Sequence, residues 1–229
     1  MMIRFFNYFT KITGYPMQWF CFHTHYFYED KTVQGRHIRG PAILISNHTS
    51  VWDYALMLFT FFFRTVRYQM AEVLFEKKLL GLFLRMMGGI RVDRDTHDFG
   101  FIAKSEAIID RGGIVGIFPE SRLPKPGEER PLPFKPSAAH LALITGAKVI
   151  PIYCVGSYFN GKNSHVVIGK PFCAADYLDD AADEKENLER VSNAMRERVI
   201  ALRALIPEKY RRDLPPEGGR IHEQNANRS

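Results

Sequence analysis

Short apolar runs alternate with polar and amphipathic stretches along the central part of the chain. Residues 42–46 form an apolar run of the length of a buried strand. Ser50 precedes Asp53 by three residues at the start of the next apolar stretch, which is typical of a helix start and predicts a helix over residues 51–63. His48 is therefore expected on the turn that joins this strand to this helix.

The same alternation continues toward the C-terminus. Apolar runs predict further strands, whereas amphipathic stretches and a helix-initiating proline predict helices. The predicted strands are residues 90–93, 114–118, 148–155 and 164–169, and the predicted helices are residues 98–110, 136–145 and 184–205. Strands that alternate with helices indicate an α/β architecture.

The first 28 residues carry eleven of the 30 aromatic residues of the chain and no acidic residue. Aromatic rings beside Arg4 and Lys11 are typical of a segment that lies in the headgroup region of a membrane. We therefore predict an interfacial anchor of two short helices broken at residues 14–16; the alternative is a helical hairpin packed on the domain. The side chains expected at the membrane interface are Phe5, Phe6, Phe9, Trp19 and Phe20.

These patterns divide the chain into three parts. Residues 1–39 form the N-terminal segment, residues 40–206 the α/β domain, and residues 207–229 a polar tail that is expected to be disordered. No run of 18 or more apolar residues occurs, so we expect no conventional transmembrane helix. The longest apolar run, residues 54–63, is expected to be a buried helix.

Composition and charge narrow the choice of partners. Hydrophobic residues make up 46% of the chain and charged residues 24%, the balance of a globular protein. The net charge of +6 favours anionic partners such as phosphate-bearing substrates or an acidic lipid surface. No basic helix or RNA-type aromatic motif occurs, so nucleic acid is not expected to be a partner. The three cysteines lack metal-type spacing, and no metal site is expected from them.

His48 and Asp53 form a His-x4-Asp pair at the first strand-to-helix turn. On one continuous helix the two would lie about 140° apart, so they meet only if His48 precedes the helix and folds back over its first turn. Asp53 then holds one imidazole nitrogen while the other takes a proton from a substrate hydroxyl, an acid/base dyad without a protein nucleophile. The alternative is that Asp53 only caps the helix and His48 is a turn residue.

Two further polar clusters follow strands. Glu120, Ser121 and Arg122 come directly after strand 114–118, and a long loop leads from them to Lys135. A carboxylate beside a guanidinium suits a substrate with hydroxyls and a phosphate, although a loop ion pair is the alternative. Arg94 leaves the end of strand 90–93, where it is either a site residue or a solvated surface charge. We expect the three clusters to converge on one face of the sheet.

The ordered set of clusters resembles the motifs of the glycerolipid acyltransferases, typified by 1-acylglycerol-3-phosphate O-acyltransferase. NHTSVWD at residues 47–53 is similar to the Asn-His-x4-Asp block of this family, and GGIRVDR at residues 88–94 to its second block. FPESR at residues 118–122 is similar to the third block, and FKPSA at 134–138 and VIPIY at 149–153 complete the series. The chain departs from the family pattern at Arg91, which replaces an apolar aromatic residue, and at Ser121 and Ser137, which replace glycines.

The resemblance implies a glycerol-3-phosphate acyltransferase-like α/β fold, with a mixed sheet, flanking helices and an N-terminal interfacial helical segment. It implies transfer of a fatty acyl group from an acyl thioester, acyl-CoA or acyl-ACP, to a lysophospholipid in phospholipid biosynthesis. The acceptor expected first is 1-acylglycerol-3-phosphate. No metal or redox cofactor is expected, since the acyl thioester is a cosubstrate. The expected location is the cytoplasmic face of a bacterial inner membrane.

The resemblance also implies a role for each site residue. His48 is the general base and Asp53 orients it. The expected contacts to the acceptor headgroup are Arg94, Glu120, Ser121, Arg122 and Lys135. The alternatives are another lysolipid acceptor, a thioester or lysolipid hydrolase on the same dyad, and a non-catalytic membrane-binding module.

Overall fold

A seven-stranded sheet forms the centre of the computed structural model, which describes residues 2–93, 100–125, 127–156, 158–159 and 163–211. The strands are β1 His25–Tyr28, β2 Ala42–Ser46, β3 Val66–Ala71, β4 Ile90–Val92, β5 Ile114–Ile117, β6 Lys148–Gly156 and β7 Ser164–Ile168. Their order across the sheet is β1-β7-β6-β2-β5-β3-β4. Neighbouring strands are parallel except β6 and β7, which are antiparallel. The predicted mixed sheet is confirmed.

Helices cover both faces of the sheet. They are α1 Met2–Met17, α2 Asp53–Thr60, α3 Val73–Glu76, α4 Lys78–Met87, α5 Gly100–Asp110, α6 Pro136–Thr145, α7 Glu184–Ala201 and α8 Glu208–Arg211. A π-helical turn at Gln18–Phe22 continues α1, and 3-10 turns lie at Ala174–Tyr177 and Leu202–Leu205. Alternate residues of one strand face opposite sides, so Ile43 joins the core under α5, α6 and α7 while Leu44 joins the core under α2.

Most elements predicted from local patterns are present. The helix at 136–145 and the strand at 42–46 have the predicted bounds, and the predicted strand at 114–118 is one residue too long. The helix predicted over 51–63 is shorter, because it begins at Asp53 and ends at Thr60. Helix α7 ends at Ala201 and continues as a 3-10 turn to Leu205. The strands β1 and β3 and the helices α3 and α4 are additional to the prediction.

The predicted break of the N-terminal segment at residues 14–16 is wrong. Helix α1 runs through Gly14 and Pro16 to Met17. Gly14 lies against α2, where an added Cβ would come within 3.1 Å of the Phe59 ring, so this glycine permits close helix packing and does not end the helix. Pro16 lies in the last turn of α1, and the π-helical turn follows it.

The predicted boundaries of the terminal parts also differ from the structure. The segment 1–39 is not wholly helical, because it contains β1, an edge strand that pairs with β7. In the predicted tail, Glu208–Arg211 forms one helical turn. Residues 212–229 lie outside the described residues. Within the described residues, no helix has both the length and the apolar character that a membrane crossing requires.

Helix α1 buries polar residues and exposes apolar ones. Lys11 is buried, and its Nζ donates hydrogen bonds to the carbonyl oxygens of Phe61, Phe62 and Arg64 at 2.7 to 3.1 Å. Burial lowers the pKa of this amine to about 8. Because carbonyls at the end of a helix need donors and favour positive charge, Lys11 ties α1 to the C-terminal end of α2. The apolar side chains of α1 therefore face outward.

Candidate active site

His48 and Asp53 are in direct contact. His48 follows β2, precedes α2 and folds back over the first turn of that helix, so that its Nδ1 lies 2.9 Å from Asp53 Oδ2. A carboxylate only accepts hydrogen bonds, so Nδ1 carries the proton and Nε2 is left as the basic nitrogen. The side chain of Asp53 is fully buried and that of His48 is 20% exposed. The arrangement can therefore take a proton at Nε2 from a molecule that approaches the surface.

Asp53 is held by further hydrogen bonds from three residues, Thr49, Ser50 and Tyr158. Its Oδ2 accepts from the backbone N–H of Thr49 at 2.6 Å and of Ser50 at 2.9 Å. Its Oδ1 accepts from the hydroxyl of Tyr158 at 2.5 Å and from Thr49 Oγ1 at 3.2 Å. Asp53 is also the first residue of α2, where the helix dipole favours a negative charge. These contacts fix the carboxylate that orients the His48 ring.

Glu120 joins the ends of two adjacent strands. It follows β5, and its Oε1 accepts a hydrogen bond from the backbone N–H of His48 at 2.6 Å. Its Oε2 accepts from the N–H of Leu132 at 2.8 Å. Burial raises the pKa of this carboxyl to about 7, against the two backbone hydrogen bonds, which lower it. Glu120 therefore supports the turn that carries His48.

The amide of Asn47 fixes the same turn from the other side. Its Nδ2 donates to the carbonyl oxygen of Cys154 and its Oδ1 accepts from the N–H of Cys154, both at 2.7 Å. This double hydrogen bond joins the end of β2 to β6. The thiol of Cys154 is fully buried, and burial raises its pKa well above the ordinary value. Because the thiolate is the nucleophilic form, Cys154 is a packing residue.

Two aromatic rings support the imidazole. The Phe118 ring stacks on His48 with centroids 4.4 Å apart, and Tyr68 stacks on the other side of Phe118 at 5.3 Å. Tyr68 is almost fully buried on β3. The stack restricts the plane of the His48 ring, while the Asp53 contact restricts its rotation in that plane.

The loop between β5 and α6 carries the other predicted site residues. Arg122 forms a two-point ion pair with Glu128, at 2.6 and 2.8 Å. This ion pair lowers the pKa of Glu128 to about 2. Ser121 has a φ of 63°, in the region that glycine adopts without strain. Lys135 is exposed at the start of α6, and its N–H donates to the Pro119 carbonyl, which closes the base of the loop.

The structure brings only part of the predicted site together. His48, Asp53 and Glu120 form one hydrogen-bonded group. Among the described residues, no hydrogen bond or ion pair links the side chains of Arg122 and Lys135 to that group. Arg94 lies outside the described residues. No group of three or more His, Cys, Asp or Glu side chains in the described ranges is arranged to hold a metal ion.

The sequence interpretation missed Tyr158, the hydroxyl donor to Asp53. This residue is 105 positions from Asp53, in the connection between β6 and β7. No spacing or local pattern marks Tyr158, because its contact with Asp53 depends on where the end of β6 lies relative to the start of α2. Phe118 was included only as part of the FPESR block, although its ring contacts the base directly.

The sequence of the chain matches a family model described as Acyltransferase over residues 20–155. This match covers more than half of the chain and includes both residues of the dyad. The chain belongs to the acyltransferase family. The predicted family is confirmed, and with it the enzyme class, an O-acyltransferase.

Relatives of this acyltransferase carry a more specific name. The 1-acyl-sn-glycerol-3-phosphate acyltransferase of Bacillus subtilis (strain 168) is 28% identical over 142 residues, which is 60% of this chain and 68% of that protein. The protein of the same name from Limnanthes alba is 31% identical over 130 residues, 55% of this chain but only 45% of the plant protein. The chain therefore spans about half the length of this plant relative.

A crystal structure supports the fold. The 1-acyl-sn-glycerophosphate (LPA) acyltransferase PlsC from Thermotoga maritima superposes with a TM-score of 0.58, over 88% of this chain and 80% of that chain. The two sequences are 19% identical. At this identity the likeness establishes a shared fold, and the predicted fold class is confirmed.

Proposed function

We propose that this acyltransferase moves a fatty acyl group from an acyl thioester, acyl-CoA or acyl-ACP, to the hydroxyl of a lysophospholipid, with 1-acylglycerol-3-phosphate as the first acceptor to test. The observation that carries the proposal is the 2.9 Å contact between His48 Nδ1 and Asp53 Oδ2, which leaves Nε2 as a base. The names of the curated relatives support the choice of acceptor.

The reaction needs a base but no protein nucleophile, because a thioester is already activated. The acceptor hydroxyl gives its proton to His48 Nε2 as its oxygen attacks the carbonyl carbon of the thioester. The C–S bond then breaks, and the leaving thiolate takes the proton back from His48. Asp53 stabilises the imidazolium that exists between these two proton transfers. The products are an ester and a free thiol, and the dyad returns to its starting state.

The loop after β5 is the proposed contact region for the acceptor headgroup. Arg122 can bind a phosphate with paired hydrogen bonds, but both of its terminal nitrogens are engaged by Glu128. On headgroup binding, the phosphate would therefore replace the Glu128 carboxylate as the partner of Arg122. Lys135 and Arg94 remain proposed headgroup contacts, and Ser121 stays a proposed part of the same loop.

Exposed apolar side chains support association with a membrane surface. On α1, Phe5 is 72% exposed and Phe9 is 53% exposed, and Trp19 and Phe20 are exposed in the π-helical turn. Phe6 is partly buried and packs against Phe83 of α4, with ring centroids 5.8 Å apart, so we remove it from the proposed interface.

Helix α4 extends this apolar surface. Its Leu79 is 86% exposed and its Leu82 is 54% exposed, and basic residues lie beside them at Lys77 and Lys78. An apolar surface with a basic rim is typical of proteins that bind anionic lipid surfaces. We propose that the protein works at a membrane surface where it meets its acceptor, on the cytoplasmic side, which is the side that supplies acyl-CoA and acyl-ACP.

The test is product analysis by mass spectrometry. The detergent-solubilised protein receives acyl-CoA or acyl-ACP with a panel of lysophospholipids that includes 1-acylglycerol-3-phosphate. We expect a two-chain product with the wild type and none with His48→Ala. The matched control is His37→Ala, which replaces an exposed histidine outside the dyad and should leave the product unchanged.

Other outcomes identify the alternatives. Free fatty acid without a two-chain product would overturn acyl transfer in favour of a hydrolase on the same dyad. A two-chain product from another lysolipid alone would correct the acceptor. Equal product from wild type and His48→Ala would remove His48 from the mechanism.

A further inference from the structure

We propose that Tyr158 is a positioning residue of the dyad, acting through the hydrogen bond from its hydroxyl to Asp53. The proposal rests on the proposed function, since it assigns Tyr158 a part in the same acid/base step. Tyr158 does not touch the reacting atoms. Its part is to hold the carboxylate that in turn holds the His48 ring.

The two oxygens of Asp53 have different tasks. Oδ2 is shared by His48 Nδ1 and by the backbone N–H groups of Thr49 and Ser50. Oδ1 accepts from Tyr158 at 2.5 Å, and the Thr49 hydroxyl is a weaker second donor at 3.2 Å. Thr49 Oγ1 also lies 3.5 Å from Oδ2, so Tyr158 is the one close donor to Oδ1 among the described residues and adds a separate restraint on rotation of the carboxylate about its Cβ–Cγ bond. Tyr158 thereby restricts the direction in which Oδ2 meets the imidazole.

The hydroxyl of Tyr158 is suited to donate. The side chain lies against the fully buried Phe22, with ring centroids 5.3 Å apart. Burial raises its pKa well above the ordinary value, and the Asp53 charge raises it further. The phenol therefore keeps its proton, and because a hydrogen bond to a charged acceptor is stronger than one between neutral groups, the contact with Asp53 is a strong one.

The N-terminal segment holds Tyr158 in place. The N–H of the next residue, Phe159, donates to the Cys21 carbonyl of the π-helical turn at 3.0 Å. The Phe159 ring packs on Trp52, directly before Asp53, with centroids 4.7 Å apart. The residue that positions Asp53 is thus fixed between the end of the N-terminal segment and the start of α2. The segment is thereby linked to the dyad through Tyr158, in addition to any contact with lipid.

The kinetics of Tyr158→Phe distinguish a tyrosine that only fills space from one that positions the dyad. Tyr158→Phe keeps the ring and its packing on Phe22 but removes the donor to Asp53. For a positioning residue, kcat falls about tenfold or more while KM for donor and acceptor stays within about twofold, because an interaction that acts on the reacting state is lost without a binding contact. The matched control is Tyr54→Phe, a half-buried tyrosine of α2 that makes no described hydrogen bond to the dyad.

A spectroscopic measurement separates positioning from packing. The proton on His48 Nδ1 gives a ¹H NMR resonance that reports its hydrogen bond to Asp53 in the free protein. Tyr158→Phe removes the hydrogen bond from residue 158 to Asp53 Oδ1. In contrast, 3,5-difluorotyrosine in place of Tyr158 strengthens this hydrogen bond, because fluorination makes the phenol a better donor. We expect the resonance to shift in opposite directions in these two proteins and to be unchanged in Tyr54→Phe.

Three results would overturn the inference. One is wild-type kcat in Tyr158→Phe, the second is an unchanged Nδ1 resonance in both Tyr158 proteins, and the third is an equal effect of Tyr54→Phe. Should Tyr158→Phe fail to fold, as judged by circular dichroism, the difluorotyrosine protein carries the test alone. The resonance is measured without substrate, so failure of acyl transfer in the wild type would overturn the proposed function and leave this test readable.

Discussion

The carboxyl of Glu120 is buried between two backbone donors, and this gives it an unusual dependence on pH. Burial raises its pKa to about 7, above the ordinary value of 4.5. Between pH 4.5 and 7 the folded state therefore binds more protons at Glu120 than the unfolded state does. The contribution of this group to stability is greatest below pH 4.5, falls as the pH rises through that range, and is constant above pH 7.

Glu120→Gln removes this titration. The free energy of unfolding of the wild type, relative to that of the variant, should fall by up to about 3 kcal/mol between pH 4.5 and pH 8. Urea unfolding at both pH values measures it. Glu128→Gln is the control: its pKa is lowered to about 2 from the ordinary 4.5, so its stability difference from the wild type should change little between these pH values, and in the opposite direction. A pH-independent difference for Glu120→Gln would contradict the prediction.

At the scale of elements, the loop from β5 to α6 is held at several points and carries an exposed ion pair. Glu120 binds the Leu132 N–H, and Ser192 of α7 donates to the Phe134 carbonyl at 3.0 Å. The tip carries the exposed ion pair of Arg122 and Glu128. The ends of this loop are fixed, whereas its ion pair is exposed. Arg122 can therefore exchange Glu128 for the proposed headgroup without a movement of the dyad.

This arrangement predicts opposite effects of two substitutions in one loop. Arg122→Ala should raise KM for a phosphate-bearing acceptor by about tenfold with kcat little changed, because a charge-assisted binding contact is lost. Glu128→Gln should lower that KM, since it releases the Arg122 guanidinium. Initial-rate kinetics with 1-acylglycerol-3-phosphate measure both, and an acceptor without a phosphate serves as the control. A change of KM in the same direction for both variants would remove Arg122 from the headgroup site.

At the scale of the whole molecule, the apolar side chains that face solvent concentrate on one side. Helix α1 turns Asn7 and Lys11 inward, where Asn7 Nδ2 donates to the Met87 carbonyl at 2.9 Å. Phe5 and Phe9 consequently face outward, and the neighbouring helix α4 exposes Leu79 and Leu82. Helices α5, α6 and α7 cover the opposite face of the sheet. This exposed apolar surface of α1 and α4 is the one that we propose to meet lipid.

Removal of apolar side chains from this face should weaken membrane binding. The double variant Phe5→Ser and Phe9→Ser should bind vesicles of phosphatidylglycerol and phosphatidylcholine at least about tenfold more weakly, because each ring contributes apolar area that is buried in the lipid. Co-sedimentation measures the bound fraction. The matched control is Ile144→Ser with Leu178→Ser, two exposed apolar residues away from α1 and α4. Equal loss in both double variants would contradict a defined membrane face.

Local sequence patterns were enough to predict the α/β architecture, the family and a possible contact between His48 and Asp53. These depend on short-range patterns: apolar runs for the strands, a helix start within three residues of a turn, and motifs of four to seven residues. The strand β3 was missed although apolar and polar residues alternate over residues 66–70, whereas the helices α3 and α4 begin without a capping side chain. The aromatic N-terminus was seen, but not the single helix that contains Gly14 and Pro16.

The residues that support the dyad could be identified only from the folded chain. Glu120 reaches the His48 N–H over 72 positions of the chain, and Tyr158 reaches Asp53 over 105. Such contacts depend on strand order, which places β5 and β6 on either side of β2, and no local pattern specifies that order. The inward direction of Lys11 has the same origin, because the carbonyls that it satisfies belong to another helix. Local patterns predict the pair of His48 and Asp53, whereas long-range packing brings the groups that hold this pair into contact with it.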